Sequence, residues 1–389
     1  MPSASLRLAV IGAGAAGLAA ARELRREGHA PVVFERAAAV GGTWLYAAPA
    51  APSDPLGAAA THSSLYASLR TNLPRETMGF LDFPFAAEAP GSADPRRFPG
   101  HEEVLRYLEA FARRFDLLRL VRFETEVLRV RRQDRGGWAE EVYDAVVVCN
   151  GHYTEPRIAV IQDTWPGKQV HSHNYCVPES FLDQVCAFVL VIYAPSSAFD
   201  ISRDVSSTAK EVHIADMSAP VRTCEKQLDY NNLWLHSMID CAEEDGSVVF
   251  QDGSSIKADV IMHCTGYSYD FPFLGDDSTI TVDDNRINPL YKHVFPPEVA
   301  PQLSFIGLPW KWVARVLSGW IVLPSKEEMM EDVKALYSKL EARGWPKRYT
   351  HNFSNYQFEY DDWFPESYRD EWDDDHLVAE ANEDFKKHL

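Results

Sequence analysis

The sequence of 389 residues has few cysteines, a deficit of basic residues and no long apolar run. Its six cysteines form no C-x-x-C pair and no metal-ligand spacing, which predicts a reducing compartment. Lysine and arginine number 38 against 57 aspartates and glutamates, so the formal net charge of −19 argues against a nucleic-acid partner. No stretch reaches the roughly 18 apolar residues of a membrane span.

The opening residues also lack the charged start and apolar segment of a secretory signal, because "MPSASLRLAV" runs directly into a predicted strand. We therefore expect a cytoplasmic protein. Hydrophobic residues make up 46% of the chain, which predicts a globular protein with a large core. Carboxylates are concentrated near the carboxyl terminus, in "FEYDDWF" and "DEWDDDH", and we interpret this segment as a solvated acidic tail.

The strongest pattern, "LRLAVIGAGAAGLAAARELRREGHAPVVFE", predicts a strand, a glycine-rich turn, a helix and a second strand. Its glycines have G-x-G-x-x-G spacing: the first permits a tight turn, the second lets phosphate approach, and the third allows close helix packing. The helix amino terminus favours a pyrophosphate, and the acid that ends the second strand would accept from ribose hydroxyls while disfavouring a 2′-phosphate. FAD or NAD is thus the expected ligand. The predicted cofactor-binding residues are Gly12, Ala13, Gly14, Ala15, Ala16, Gly17 and Glu35.

The following segment, "ERAAAVGGTW", favours FAD over NAD. It resembles the E-x(5)-G-G-x-W stretch of flavoprotein monooxygenases, in which backbone amides and the aromatic ring lie along the flavin. The resemblance adds Gly42, Thr43 and Trp44 to the expected cofactor-binding residues.

Three further segments resemble the flavin-containing monooxygenase family. They are "SLYASLRTNLPRETMGFLDFPF" (64–85), "WPGKQVHSHNY" (165–175) and "IMHCTGYSYDFPF" (261–273). The second fits the fingerprint F-x-G-x-x-x-H-x-x-x-Y/F at Gly167, His171 and Tyr175, with Trp165 replacing phenylalanine. "CNGHYTEP" and "YKHVFPPEVAP" are most similar to the plant glucosinolate S-oxygenase-like branch.

The resemblance implies an α/β fold with two nested Rossmann-like dinucleotide-binding domains. Residues 1–160 and 254–345 would bind FAD, the inserted residues 161–253 would bind NADPH, and residues 346–389 form the acidic segment. The implied cofactors are FAD and NADPH. The implied reaction transfers one oxygen of O2, through a C4a-hydroperoxyflavin, to sulfur or nitrogen of a small thioether or amine, a thioether being favoured.

Asn72, in "RTNLP", matches the family's active-site asparagine near flavin and nicotinamide, so Asn72 and the preceding Thr71 are expected to bind the cofactors. We expect Asn72 to be catalytic, because an amide both donates and accepts hydrogen bonds. His171 is expected to fix the linker between the nucleotide domains. His171 and His173 have no acidic or cysteine cluster at ligand spacing beside them, so no metal site is predicted.

A second turn, "VIYAPSSAFDISRD", matches the family's NADPH-phosphate segment outside its glycines. The expected NADPH-binding residues are Tyr193, Ser196, Ser197 and Ala198. Tyr193 and Pro195 replace two glycines of the turn, and each replacement would cost about 1–3 kcal/mol if the turn requires φ > 0 there.

These departures leave open a paralogue that binds FAD but reacts poorly with NADPH. Met217 stands where a basic residue is expected for the 2′-phosphate, and the chain is shortened near 158–164 and after Lys311. A Baeyer–Villiger monooxygenase is a further alternative, although no arginine can be assigned to the nicotinamide. A disulfide reductase is excluded, because the first 148 residues contain no cysteine.

Overall fold

The computed structural model describes most of the chain, in the ranges 4–46, 55–57, 63–80, 82–86, 93–132, 141–161, 164–190, 195–275, 279–306 and 310–351. Within these ranges the fold is α/β, as predicted, and both larger sheets are mainly parallel. The α-helices are α1 (Ala15–Arg26), α2 (Arg75–Met78), α3 (His101–Arg114), α4 (Pro195–Val205), α5 (Trp310–Leu317) and α6 (Lys326–Ala342). The strands are β1 (Arg7–Ile11), β2 (Ala30–Phe34), β3 (Val121–Arg122), β4 (Ala145–Val148), β5 (Glu155–Pro156), β6 (Lys168–His171), β7 (Val185–Leu190), β8 (Glu211–Asp216), β9 (Cys224–Lys226), β10 (Leu233–His236), β11 (Ile239–Ala242), β12 (Ser247–Phe250), β13 (Ser255–Lys257), β14 (Val260–Cys264), β15 (Tyr267–Ser268), β16 (Thr281–Asp283), β17 (Arg286–Asn288) and β18 (Leu303–Phe305).

The chain divides into two compact units. Unit 1 consists of the described residues within Met1–Trp44, Leu73–Gly151 and Tyr269–Leu389. Unit 2 consists of those within Leu45–Asn72 and His152–Ser268. Each unit contains one of the larger sheets.

The sheet of unit 1 has the order β18-β4-β1-β2-β3, and all its strands are parallel. β1 lies between β2 and β4, where the strand order reverses, so the turn after β1 opens at the ligand-binding edge of such sheets. Leu8 and Val10 of β1 are fully buried, as expected for a central strand of a parallel sheet. α1 covers the sheet with Leu18 and Leu24 and packs against α5.

Apolar periodicity in the sequence predicts two amphipathic helices, and both are present in unit 1 as α3 and α6. Ser325 and Glu328, three positions apart, predict a capping box for α6, and it is present: Ser325 Oγ accepts from Glu328 N at 3.2 Å, and Glu328 Oε2 accepts from Ser325 N at 2.8 Å. Gly344, with φ +69°, follows the helix where the sequence predicts its end. None of the helices among the described residues is long and apolar enough to cross a membrane.

The sheet of unit 2 has the order β6-β14-β7-β8-β10-β9, with only β9 antiparallel to its neighbour. β7 lies between β8 and β14, so this sheet has the same reversal of strand order as the first. β14 lies within residues 254–345, which the sequence analysis assigns to the FAD domain. Its five residues are all buried, and the strand pairs with β6 on one side and with β7 on the other, as expected for an interior strand of a parallel sheet.

Candidate functional site

The first glycine turn connects β1 to α1 and is built from backbone contacts that exclude side chains. Gly12 has φ +103°, and a Cβ there would lie 2.4 Å from the carbonyl oxygen of Cys149, at the end of β4. A Cβ at Gly17 would lie 1.9 Å from the carbonyl oxygen of Gly12. Both positions therefore require glycine.

Gly14 plays a different part in the turn, because it faces the second glycine loop. A Cβ at Gly14 would lie 3.5 Å from Gly42 Cα, which is an ordinary contact distance. Gly42 has φ +56° and begins a 3-10 turn, Gly42–Trp44, while Gly41 N donates to Ala13 O at 3.1 Å. The two loops thus form one backbone surface in unit 1 that carries the residues predicted to bind FAD.

The amino terminus of α1 has the properties of an anion-binding site. Its N-cap is Gly14, with no side-chain cap, and its first turn contains no acidic residue. α6 differs, since Ser325 and Glu328 cap its first turn. The first N–H groups of α1 are left without a capping side chain, and they suit the pyrophosphate of FAD.

Glu35 is held in one orientation beside this turn. Its side chain is buried, and its two carboxylate oxygens accept from Ala13 N at 2.7 Å and from Ala37 N at 2.8 Å. Each carboxylate oxygen has a second lone pair, so Glu35 can still accept from ribose hydroxyls. The turn, the helix terminus and this carboxylate together fit the pyrophosphate and ribose of FAD.

The residues that close the turn from the side of β4 are not evident from the sequence. Cys149 supplies the carbonyl against Gly12, and its Cβ would meet a side chain at Gly17 at 3.5 Å. Burial raises the pKa of the Cys149 thiol above its usual value, so this cysteine is a packing residue rather than a nucleophile. Asn150 Nδ2 donates to Asp270 O at 3.0 Å.

The second turn, between β7 and α4, is described from Pro195 onward, and Tyr193 lies outside the described residues. Pro195 is the first residue of α4, a position where a proline φ is suitable and an N–H has no intrahelical partner. The penalty expected at Pro195 therefore does not arise from the helix geometry. Ser196 and Ser197 are in the first turn of α4, and Ala198 is buried in the core of unit 2.

The fingerprint begins with a tight aromatic contact in unit 2. Trp165 is buried, and a Cβ at Gly167 would lie 2.0 Å from Cη2 of its indole. The indole Nε1 has no hydrogen-bond partner among the described residues. Any side chain at Gly167 would therefore overlap the indole of Trp165.

We expect Gly167→Ala to lower the free energy of unfolding by about 3 kcal/mol, because the new methyl group overpacks against Trp165. Trp165→Phe should cost less, since it also removes an unpaired buried donor. In the double variant the total loss should be at least about 1 kcal/mol smaller than the sum of the two single losses. Chemical denaturation of the four proteins measures this coupling, and strict additivity would contradict the proposed contact.

The fingerprint histidine is fully buried and makes two hydrogen bonds within unit 2. His171 Nδ1 accepts from His173 N at 3.0 Å, so the ring proton is on Nε2, which donates to Gly266 O at 3.1 Å. Burial, reinforced by the charges that His173 and His263 would carry when protonated, lowers the pKa of His171 to about 3. His171 is neutral at physiological pH and fixes the start of the segment after β14.

This burial predicts a loss of stability in acid. The unfolded chain binds a proton at His171 near pH 6.5, whereas the folded chain does so only near its pKa of about 3. The contribution of neutral His171 to the free energy of unfolding is complete above pH 6.5 and falls by about 1.4 kcal/mol per pH unit below it. His171→Gln keeps an acceptor and a donor but no titrating group. In chemical denaturation between about pH 4.5 and 7.5, the slope of the free energy of unfolding against pH should be smaller in this variant by the equivalent of about one proton. An unchanged slope would refute this assignment.

The fingerprint tyrosine fixes the segment that leads to Asn72. Tyr175 Oη donates to Asp204 Oδ2 at 2.6 Å, at the end of α4, and Ser68 Oγ donates to the same oxygen at 2.5 Å. Ala67 N donates to Cys176 O at 3.0 Å.

Beyond that anchored segment, Thr71 is buried and Asn72 is exposed. Both residues follow a segment of unit 2 that is held by side-chain and backbone hydrogen bonds. The backbone that leads to the Asn72 amide is therefore fixed.

A model described as "Flavin-binding monooxygenase-like" matches residues 5–223 and 233–364. "Flavin-containing monooxygenase FMO GS-OX-like 2" of Arabidopsis thaliana is 54% identical over an alignment of 450 residues, covering 100% of this chain and 96% of the relative. "Flavin-containing monooxygenase FMO GS-OX5" of the same plant is 53% identical over 438 residues, covering 98% and 95%. Both alignments are longer than the chain, so these relatives contain residues that it lacks.

Among solved structures, that of the S-allyl-L-cysteine S-oxygenase from Allium sativum is similar over 99% of both chains, with a TM-score of 0.87 and 54% identity. A structure named Tmm, from a Pelagibacter strain, covers 86% of this chain at 24% identity and a TM-score of 0.69, and supports the fold alone. At 99% coverage, the first of these alignments spans both units.

Proposed function

Because the chain belongs to the flavin-binding monooxygenase-like family, we propose that it is an S-oxygenase that converts a small thioether to its sulfoxide. It is a flavin-dependent enzyme, and its cofactors are FAD and NADPH. The proposed reaction consumes one thioether, one O2, one NADPH and one proton, and yields one sulfoxide, one water and one NADP⁺. The similarity to an S-allyl-L-cysteine S-oxygenase over both units supports sulfur rather than nitrogen as the acceptor.

The observation that carries the proposal is the backbone surface formed by Gly14 and Gly42 beside the uncapped amino terminus of α1. There the turn would bind the pyrophosphate, Glu35 would bind the ribose, and Gly42–Trp44 would lie along the flavin. Bound FAD, once reduced by NADPH, supplies an activated oxygen atom from O2.

In unit 2 we assign NADPH to the turn before α4, with Ser196 and Ser197 as candidate phosphate donors in its first helical turn. Asn72 would orient the reacting groups, since its amide both donates and accepts. The assignment of FAD to unit 1 and NADPH to unit 2 is part of the same proposal. A cytoplasmic location is also proposed, because all six cysteines are free thiols.

The substrate test compares a thioether with an amine. FAD-loaded protein, NADPH and air are incubated with S-allyl-L-cysteine or with a tertiary amine, and the products are measured by mass spectrometry. We expect sulfoxide in proportion to the NADPH oxidised, with one oxygen atom derived from labelled O2. Amine oxide formed in preference to sulfoxide would overturn the sulfur assignment, and release of hydrogen peroxide without either product would overturn the oxygenase proposal for both substrates.

A further inference from the structure

Three unlike metal-ligand side chains of unit 2 meet at the antiparallel edge of its sheet. Cys224 of β9 lies directly opposite His236 of β10 in the strand register, and Asp252 follows β12 in a turn. The possible ligand atoms of these three residues all lie within 4.8 Å of one another. His236 Nδ1 and Asp252 Oδ2 are 3.1 Å apart.

We propose that Cys224 Sγ, His236 Nδ1 and Asp252 Oδ2 bind one Zn²⁺ ion, with the fourth position open to water. Zinc bonds of about 2.0–2.3 Å in a tetrahedron place ligand atoms roughly 3.3–3.6 Å apart. Here His236 Nδ1 and Asp252 Oδ2 are 3.1 Å apart, and Cys224 Sγ lies within 4.8 Å of the other ligand atoms. One thiolate, one imidazole and one carboxylate suit zinc, whereas Mg²⁺ and Ca²⁺ prefer oxygen ligands alone. Cys224 is exposed, so the ion has a path from solvent.

Behind these ligands lies a chain of hydrogen-bonding side chains. His236 Nε2 lies 3.0 Å from His213 Nδ1, and His213 Nε2 lies 3.4 Å from Glu211 Oε2. With His236 Nδ1 on the metal, Nε2–H donates to His213, whose own Nε2–H donates to Glu211. A metal-bound histidine needs such a partner to fix its ring and tautomer.

The carboxylate is oriented in the same way. Asp252 Oδ1 accepts from Ser254 N at 2.7 Å, which leaves Oδ2 directed at His236. The side chains of His236 and Asp252 are each only 3% exposed, and no lysine or arginine of the described residues forms an ion pair with Asp252. A buried carboxylate without a fixed cation is stabilised by a metal ion. Phe250 stacks on the His236 ring at 4.0 Å between centroids and fixes its plane.

None of the three ligands belongs to the residues predicted to bind FAD or NADPH or to the fingerprint residues. Its ligands join β9, β10 and the turn after β12, so metal binding should tie the edge of the sheet to the neighbouring β11-β12-β13 sheet. The consequence is a higher unfolding temperature for the metal-loaded protein, since the ion binds the folded chain in preference to the unfolded one.

Cobalt substitution tests the site directly. The full-length, FAD-loaded protein is stripped with a chelator and titrated with Co²⁺, and absorbance is followed in the red, beyond the flavin bands. We expect intense tetrahedral cobalt bands that saturate at one ion per chain and disappear when one equivalent of Zn²⁺ is added. Absence of such bands, or loss of them only at a large excess of Zn²⁺, would overturn the proposal.

Matched variants distinguish this site from adventitious binding. Cys224→Ser and Asp252→Asn should each weaken Zn²⁺ binding at least tenfold and remove the rise in unfolding temperature. Cys241→Ser, on the adjacent strand β11, replaces a cysteine outside the cluster and should bind Zn²⁺ like the original protein. Equal affinity in Cys224→Ser and Cys241→Ser would contradict the assignment. Circular dichroism of each variant verifies that it is folded.

Discussion

Gly17→Ala is expected to yield a protein without FAD. The added Cβ would lie 1.9 Å from the carbonyl oxygen of Gly12. Because the backbone fixes the positions of both atoms, no side-chain rotation can relieve the overlap. The turn or the start of α1 has to move, which displaces the amide groups that bind the pyrophosphate. We expect at least a hundredfold loss of FAD affinity and a loss of about 3 kcal/mol or more in the free energy of unfolding of the apoprotein.

Two other glycines separate this effect from a general cost of adding a methyl group. Gly28→Ala lies at the other end of α1, where φ is +88° but no atom lies within 4 Å, so it should cost about 1 kcal/mol and keep FAD. Gly14→Ala makes an ordinary contact with Gly42 and should fold, yet bind FAD more weakly, since its methyl group lies between the two glycine loops of the proposed FAD surface. Absorbance of the bound flavin measures the FAD content, and chemical denaturation measures the free energy of unfolding. Full FAD content in Gly17→Ala would refute the structure of the turn.

Asn72→Ala is expected to lower kcat/KM for sulfoxide formation by about 10²–10³-fold. The proposed amide both donates and accepts near the reacting groups, and alanine removes both functions. The segment before Asn72 is fixed independently by Ser68 and Tyr175, so the fold should be unaffected. We expect NADPH oxidation to continue with hydrogen peroxide as its product, so that the ratio of sulfoxide to NADPH falls.

Leu73→Ala is the matched control, because Leu73 is the exposed neighbour of Asn72 and has no proposed role. It should leave the ratio of sulfoxide to NADPH unchanged. Asn72→Asp keeps an acceptor but loses the amide donor. If donation is the essential function, its ratio of sulfoxide to NADPH should be close to that of Asn72→Ala. An equal ratio of sulfoxide to NADPH in Asn72→Ala and Leu73→Ala would contradict a catalytic role for Asn72.

Features determined by local sequence were accessible without a structure. The turn at Gly12 and the capping box at Ser325 each depend on residues a few positions apart, and both are present. The amino-terminal unit of strand, turn, helix and strand is likewise predicted by local apolar runs and periodicity, whereas the α/β class of the whole chain was implied by the resemblance to the family.

Features that depend on distant residues were not accessible. Cys149 closes the first turn from a strand far along the chain, and nothing in its local sequence indicates that contact. β14 joins the sheet of unit 2 by pairing that composition does not reveal. The cluster of Cys224, His236 and Asp252 was missed for the same reason: its ligands come from two strands and a turn, so no metal-ligand spacing appears in the sequence.

The most direct test of the central claim is anaerobic mixing of the FAD-loaded protein with NADPH, followed at the absorbance maximum of the oxidised flavin. A flavin monooxygenase whose second turn still binds NADPH should lose this absorbance rapidly and recover it when O2 is admitted. Tyr193→Gly should increase the affinity for NADPH, because it restores the first glycine of the family's turn, whereas Pro195 is already suited to the start of α4. Flavin that stays oxidised at high NADPH, in the original protein and in this variant alike, would contradict the account.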